Sequence, residues 1–488
     1  METTKLKRFA AEARTNLMDG VRRKLLLLGF DKKGAVVAEP QPLQGGVLWN
    51  GEEYPEVFYR QWTTLRDRIR ERGVREVVEE ASYIWFNRMM AIRILTMNSL
   101  CEPVLRYDEA IGLPLLLSDA RMGRVPEMSA QEHARFDRLM DDDNRTYDQF
   151  ALLLAAWCHA NPVIHACFGS INDYVELLLP DNILRPDGFI AKLNETQFIS
   201  EEDYKSAELI GWLYQFYISD RKDEVFAKKG KVEADEIPAA TQIFTPNWIV
   251  KYMVQNTILP QVDADEEIIE SAKYLVKTEN NTDRKIELED LKVADFACGS
   301  GHILNECFDL LFDLYRSEAY SRREAIECIF TKNLTGIDID LRAKQLATFA
   351  MLLKACQKDP SFADAHCLPH VISIPEIDKE LIDLEDTRSI AGYLHHFFLG
   401  AETKECSEQM IDAIALLKDA DSLGSIIKFD LSPSTRRQLV EAVDHWKRQE
   451  ELPTAIKAGL PMMDFILTLS IQCYLHLQQR HRGCDPDR

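Results

Sequence analysis

Between Val293 and Leu304 the chain packs an acid, two glycines and a helix start into one short stretch. Val293 and Ala294 lead to Asp295, and Phe296, Ala297, Cys298, Gly299, Ser300 and Gly301 lead on to His302, Ile303 and Leu304. This order predicts a short buried strand, a glycine bend, and a helix from near His302. Glycine reaches positive φ without strain, and its missing Cβ lets a ligand approach the backbone. The helix start then offers free N–H groups to polar or anionic ligand atoms. A dinucleotide site would ask for a third glycine where Leu304 stands, so NAD fits poorly. An acid just ahead of the bend suits a ligand carrying a cation, such as the ammonium of S-adenosylmethionine.

The same logic repeats a helix-length later. Asn333 to Asp340 reads as a second strand ending in acid, so the pair makes a βαβ unit. In such folds an acid at the end of the second strand holds the ribose hydroxyls. Asp338 takes that role, and Asp340 caps the helix beginning at Leu341. The plain alternative is any doubly wound domain with two capping acids. The joint spacing of the two acids and two glycines favours a nucleoside cofactor.

Upstream, Phe244, Thr245 and Pro246 precede an apolar segment. Thr245 reads as an N-cap with Pro246 at the first helical position. Ile249, Val250, Met253 and Val254 follow as the apolar face. The bland reading is a well-capped helix; the functional one lays this turn over the cofactor, with Thr245 near the carboxylate of its amino-acid end.

These motifs need a frame, and 488 residues supply two or three domains. Residues 1–235 read as mostly helical, from spacings such as Val74, Val78, Ala81, Ile84 and Trp85. Polar breaks fall near Glu39 to Pro42, Arg121 to Met128 and Asp141 to Asn144, and Lys228 to Glu236 is a charged connector. Residues 236–375 carry the α/β pattern, with a third strand at His370 to Ile374. Residues 376–470 turn helical again, as an insertion after that strand, and 471–488 form a divergent tail. The apolar run from Phe150 to Phe168 is broken by His159, Asn161, Pro162 and His165, so it is a core helix followed by a break, not a membrane span.

The net charge of −22 argues against indiscriminate binding of nucleic acid by the whole surface. Two local basic concentrations stand out: Lys5 to Lys24, and Arg60 to Arg75. Each reads either as a phosphate-contacting stripe or as a solvated face paired internally, since Asp67, Glu71 and Glu76 are interleaved. The eleven cysteines form no C-x-x-C pair, which speaks against zinc and against a disulfide frame. No metal site is expected. Free thiols and the lack of an apolar leader after Met1 point to the cytoplasm.

The combination of Phe244–Thr245–Pro246, Asp295 through Gly301, and Asp338 resembles adenine-specific DNA methyltransferases of the gamma arrangement. Phe296 stands where that family has proline, and His302 where glycine is frequent. The segments Glu176 to Asn182, Ile210 to Tyr217 and Pro238 to Val254 look like the PglX methyltransferases of BREX phage-defence systems. The likeness covers most of residues 1–470, loosely at first and closely from about 170 to 355.

The resemblance implies an α plus α/β fold: a helical N-terminal domain, then a Rossmann-like S-adenosylmethionine-dependent methyltransferase domain. Its cofactor-binding residues are Phe244, Thr245, Pro246, Asp295, Phe296, Ala297, Cys298, Gly299, Ser300, Gly301 and Asp338. It further implies N6 methylation of adenine in double-stranded host DNA as a mark of self, with BREX proteins as partners and no membrane. A base inside a duplex must be flipped out to be reached. The family does this around a D/N-Pro-Pro-Tyr/Phe loop, and no Pro-Pro pair occurs in this sequence. No catalytic residue is therefore assigned, and the expectation is a truncated domain that is inactive alone. The competing expectation is a non-catalytic module binding DNA or defence-system partners.

Overall fold

The computed structural model describes residues 2–169, 174–195, 197–228, 240–241, 245–276, 285–375, 382–384, 386–419, 427–449 and 451–482. The chain is largely helical in its N-terminal half, followed by a small parallel α/β unit and further helices.

The N-terminal half is built on the helix Thr3–Leu27. Its Leu6, Phe9, Ala13, Leu17 and Val21 are buried at three- and four-residue spacing, the stripe a core-facing helix needs. It packs against the helices Val74–Met97 and Glu208–Ala227. Phe86, Met89 and Met90 lie in that core.

The region also holds a small antiparallel sheet that the helical reading missed. Strands β1 (Gln41–Leu43), β2 (Gly46–Trp49) and β3 (Glu52–Tyr54) form a meander. Only Val47 and Trp49 of β2 reach the core, so three- and four-residue strands left too little alternation to read.

The apolar run from Phe150 onward is two helices, Thr146–Ala160 and Pro162–Phe168, bent by 88°. Asn161 makes the break: its Oδ1 accepts the Ile164 N–H at 3.0 Å, and Pro162 opens the next helix. No single helix among the described residues is long and apolar enough to cross a membrane.

The α/β unit contains β4 (Val293–Asp295), β5 (Leu334–Asp338) and β6 (His370–Ser373), parallel and in the order β4-β5-β6. Asp295 pairs with Gly336, and Asp338 with Ser373, so both acids reach the same carboxyl edge. Open α/β sheets bind their ligands at that edge.

Leu334 and Val371 face one core, with Leu304, Phe308 and Leu346 from the helices His302–Ser317 and Leu341–Lys358. This core is continuous with that of the N-terminal half; Phe349 meets Phe168 at 5.8 Å between ring centres. Ile337 and Ile372 face the opposite way, into a second core. There they join Ile390 and Leu394 of the helix Thr387–Phe397, and Met463 and Ile466 of the helix Thr454–Arg482. The segment expected as an insertion thus supplies the layer on the far side of the sheet.

Candidate ligand site at the carboxyl edge of the sheet

The glycine bend is closed by its own backbone. Gly301 N–H donates to the Cys298 carbonyl at 2.8 Å, and Cys298 N–H reaches across to the Ile337 carbonyl at 3.0 Å. Gly299 and Gly301 take φ of +53° and +79°. Gly301 is the N-cap of the helix His302–Ser317, and a Cβ there would lie 3.0 Å from Cα and Cβ of Ala347. Gly301→Ala therefore combines left-handed strain with a clash against a neighbouring helix. Thermal or urea denaturation should show a loss of about 1–3 kcal/mol. At Gly299 the left-handed strain remains, but a Cβ would meet nothing within 4 Å. The backbone there is open to an incoming group.

Asp295 ends β4 with its two oxygens in different states. Oδ1 accepts the Ala297 N–H at 3.1 Å. Oδ2 is buried and has no hydrogen-bond partner among the described residues. Burial pushes this carboxyl up, and the Ala297 bond only partly offsets it. A buried carboxylate oxygen without a donor is costly, and a cationic or N–H-bearing ligand would relieve that cost.

Asp338 ends β5 with both oxygens engaged: Oδ2 takes the Gly299 N–H at 2.8 Å, and Oδ1 takes the Asp340 N–H at 2.9 Å. Burial raises its pKa, the two N–H bonds lower it, and Asp340 and Asp295 add smaller rises. The two acids and the bend therefore form one cluster, as the spacing predicted. Within it Phe296 is 44% exposed, whereas the Cys298 thiol is buried, its pKa pushed well up by that burial. Ser300 is buried and Ala297 exposed.

Asp340 caps the helix Leu341–Lys358 as expected, accepting the Arg342 N–H at 2.9 Å. Its carboxylate also takes Arg342 Nε at 2.9 and 3.2 Å and the Tyr214 hydroxyl at 3.1 Å. Burial, followed by the neighbouring Asp340 charge, keeps the Tyr214 phenol protonated and able to donate.

Phe244 lies outside the described residues. Thr245 bonds through its backbone to the His302 ring, and Asn247 Nδ2 reaches Glu306 Oε2 at 3.4 Å. The segment therefore runs beside the first turns of the helix that the glycine bend opens. Two expectations about it need correction. The helix is Asn247–Ile258 with Pro246, not Thr245, at the cap: Pro246 has ψ of 138°, outside the helical range, while its carbonyl accepts the Ile249 N–H. Its apolar face is Val250, Val254 and Ile258, and Met253 is 43% exposed, because the buried face follows strict four-residue steps.

Several side chains of the two basic concentrations are paired within the protein. Arg66 and Arg70 meet Asp67, Arg75 meets Glu224, Arg14 meets Glu79, Arg23 meets Asp181, and Arg8 and Arg22 take acids on their own helix. This is the internally paired arrangement. The interleaved acids lower the local positive charge, while exposed pairs of this kind are individually weak.

No family model matches the chain. The adenine-specific methyltransferase BrxX of Escherichia coli O9:H4 (strain HS) is 33% identical over 460 residues, covering 88% of this chain and 38% of that protein. The adenine-specific methyltransferase PglX of Lacticaseibacillus casei (strain Zhang) is 29% identical over 506 residues, 90% of this chain and 40% of its own. The chain is related to the BrxX/PglX family of adenine-specific methyltransferases. It spans about two fifths of the length of these two relatives. A shorter match, 28% identical over 202 residues, links 37% of this chain to 18% of the type II restriction enzyme and methyltransferase RM.Eco57I of Escherichia coli.

Proposed function

We propose that this chain binds S-adenosylmethionine at the carboxyl edge of its parallel sheet, as the cofactor-holding part of an adenine-specific DNA methyltransferase. The observation that carries the reading is Asp295 Oδ2, buried beside a glycine bend with no protein donor among the described residues. That oxygen suits the ammonium of the methionine moiety, and Asp338 suits the ribose hydroxyls. In this reading the open backbone at Gly299 and the Thr245–Pro246 segment, which runs beside the first turns of the adjacent helix, line the same pocket. The residues present therefore fit the cofactor. When bound, S-adenosylmethionine supplies the electrophilic methyl group.

The acceptor in this reading is the N6 amine of adenine in double-stranded DNA. Likeness to BrxX and PglX supports it, and in this reading the protein works in a cytoplasmic BREX defence system that marks host DNA. Domain roles in this reading are residues 1–235 as a helical platform, 236–375 as the cofactor half and 376–470 as the covering layer, with the helix Thr454–Arg482 running on across the boundary expected at 471. The sequence contains no D/N-Pro-Pro-Tyr/Phe segment to receive a flipped adenine. The purified chain should therefore bind S-adenosylmethionine yet transfer no labelled methyl to unmethylated DNA. Methyl incorporation into adenine by this chain alone would show that other residues perform that step.

A further inference from the structure

Asp338 sits at the end of a relay that starts in the helical N-terminal half. The Tyr214 hydroxyl, on the helix Glu208–Ala227, donates to Asp340 Oδ2 at 3.1 Å. Arg342 Nε grips both oxygens of Asp340, and the Arg342 N–H binds Oδ1. The Arg342 guanidinium lies 5.2 Å from the centre of the Tyr83 ring, and Tyr83 meets Tyr214 at 5.9 Å. With its side chain held from three sides, Asp340 presents its peptide N–H to Asp338 Oδ1 at 2.9 Å. Asp338 then anchors Gly299 through its other oxygen.

We infer that Tyr214 is a positioning residue for the nucleoside pocket: through Asp340 it fixes the carboxylate of Asp338 in the orientation that receives ribose hydroxyls. This rests on the assignment of S-adenosylmethionine to the carboxyl edge. Asp338 is two residues from Asp340 on a tight strand-to-helix turn. A shift of the Asp340 side chain therefore rotates the peptide whose N–H holds Asp338. Without the Tyr214 hydroxyl, Asp340 keeps its cap to the Arg342 N–H, so the helix survives. What it loses is its direct bond to the N-terminal half, leaving only the indirect contact through Arg342 and Tyr83. Pre-organised groups bind better because their ordering cost is already met.

The test uses the full chain and two ligands, S-adenosylhomocysteine and its 2′,3′-dideoxy analogue, titrated against the wild type and Tyr214→Phe. The wild type should prefer the hydroxylated ligand. Tyr214→Phe should weaken S-adenosylhomocysteine about tenfold, the scale of one hydrogen bond to a charged group, and leave the dideoxy analogue within about twofold. Asp340→Asn, which keeps the cap and the peptide N–H but not the charge, should move selectivity the same way. An equal loss for both ligands, or no loss for either, would overturn the inference while leaving the cofactor site in place. A wild-type chain that binds neither ligand would overturn the cofactor assignment and this inference together.

Discussion

Replacing Asp295 by alanine should weaken S-adenosylmethionine binding by about a hundredfold, and at the same time make the ligand-free chain more stable by about 1 kcal/mol. The two signs come from one oxygen. Asp295 Oδ2 is buried with no protein partner among the described residues, so in the free chain it contributes an unsatisfied charge. With a cationic ligand it becomes half of a buried ion pair, and removing one partner of such a pair is costly. An ordinary structural aspartate would show only losses.

The pH dependence has a definite direction. Burial raises the folded-state pKa of Asp295 above its ordinary 3.8. The folded chain therefore keeps this proton at pH values where the unfolded chain has released it. The group's contribution to stability is complete below 3.8 and is lost as pH rises through the folded value. Asp338, also raised by burial, has the same sign. Stability of the free chain should fall with rising pH across that window, while affinity for a cationic ligand should rise as Asp295 deprotonates. Asp295→Ala should flatten both trends in part, leaving the contribution of Asp338. Melting curves and ligand titrations at matched pH values read both slopes.

The second large effect is expected at Asp340. Asp340→Ala leaves the part-buried Arg342 guanidinium over Tyr83 without its carboxylate, and removes the Tyr214 acceptor as well. Breaking one side of a fully buried pair typically costs about 3–5 kcal/mol, and the partial exposure of Arg342 puts this pair at or below the low end. Replacing Asp340 and Arg342 together by apolar residues of similar size should cost clearly less, because no charge is then stranded. Urea denaturation of the two variants decides this. Equal losses would mean that the cap to the Arg342 N–H, and not the ion pair, holds the joint.

The site was legible in sequence wherever its chemistry lies in one stretch. Asp295, Gly299 and Gly301 could be read because strand, bend and helix follow each other without interruption, and Asp338 because the same pattern recurs one helix later. The bond from Gly299 N–H to Asp338 was not readable: it depends on parallel pairing that brings residues 39 positions apart to one edge. The link from Tyr214 to Asp340 spans 126 positions. Nothing in the helical spacing of Ile210 to Tyr217 separates a tyrosine facing a carboxylate from one facing core. Proline misled the reading of the cap, since it suits both the first helical position and the residue before it. Met253 and Tyr252 are exposed while Val250 and Val254 are buried, so hydrophobicity alone overstated the buried face of that helix.

The most direct measurement is calorimetric titration of the purified chain with S-adenosylmethionine, in parallel with Asp295→Ala and Asp338→Ala. A cofactor site built on these two acids predicts saturable binding at one site in the wild type, with severe weakening in each variant. No binding in the wild type, or wild-type affinity retained in both variants, would contradict a cofactor site at the carboxyl edge of this sheet.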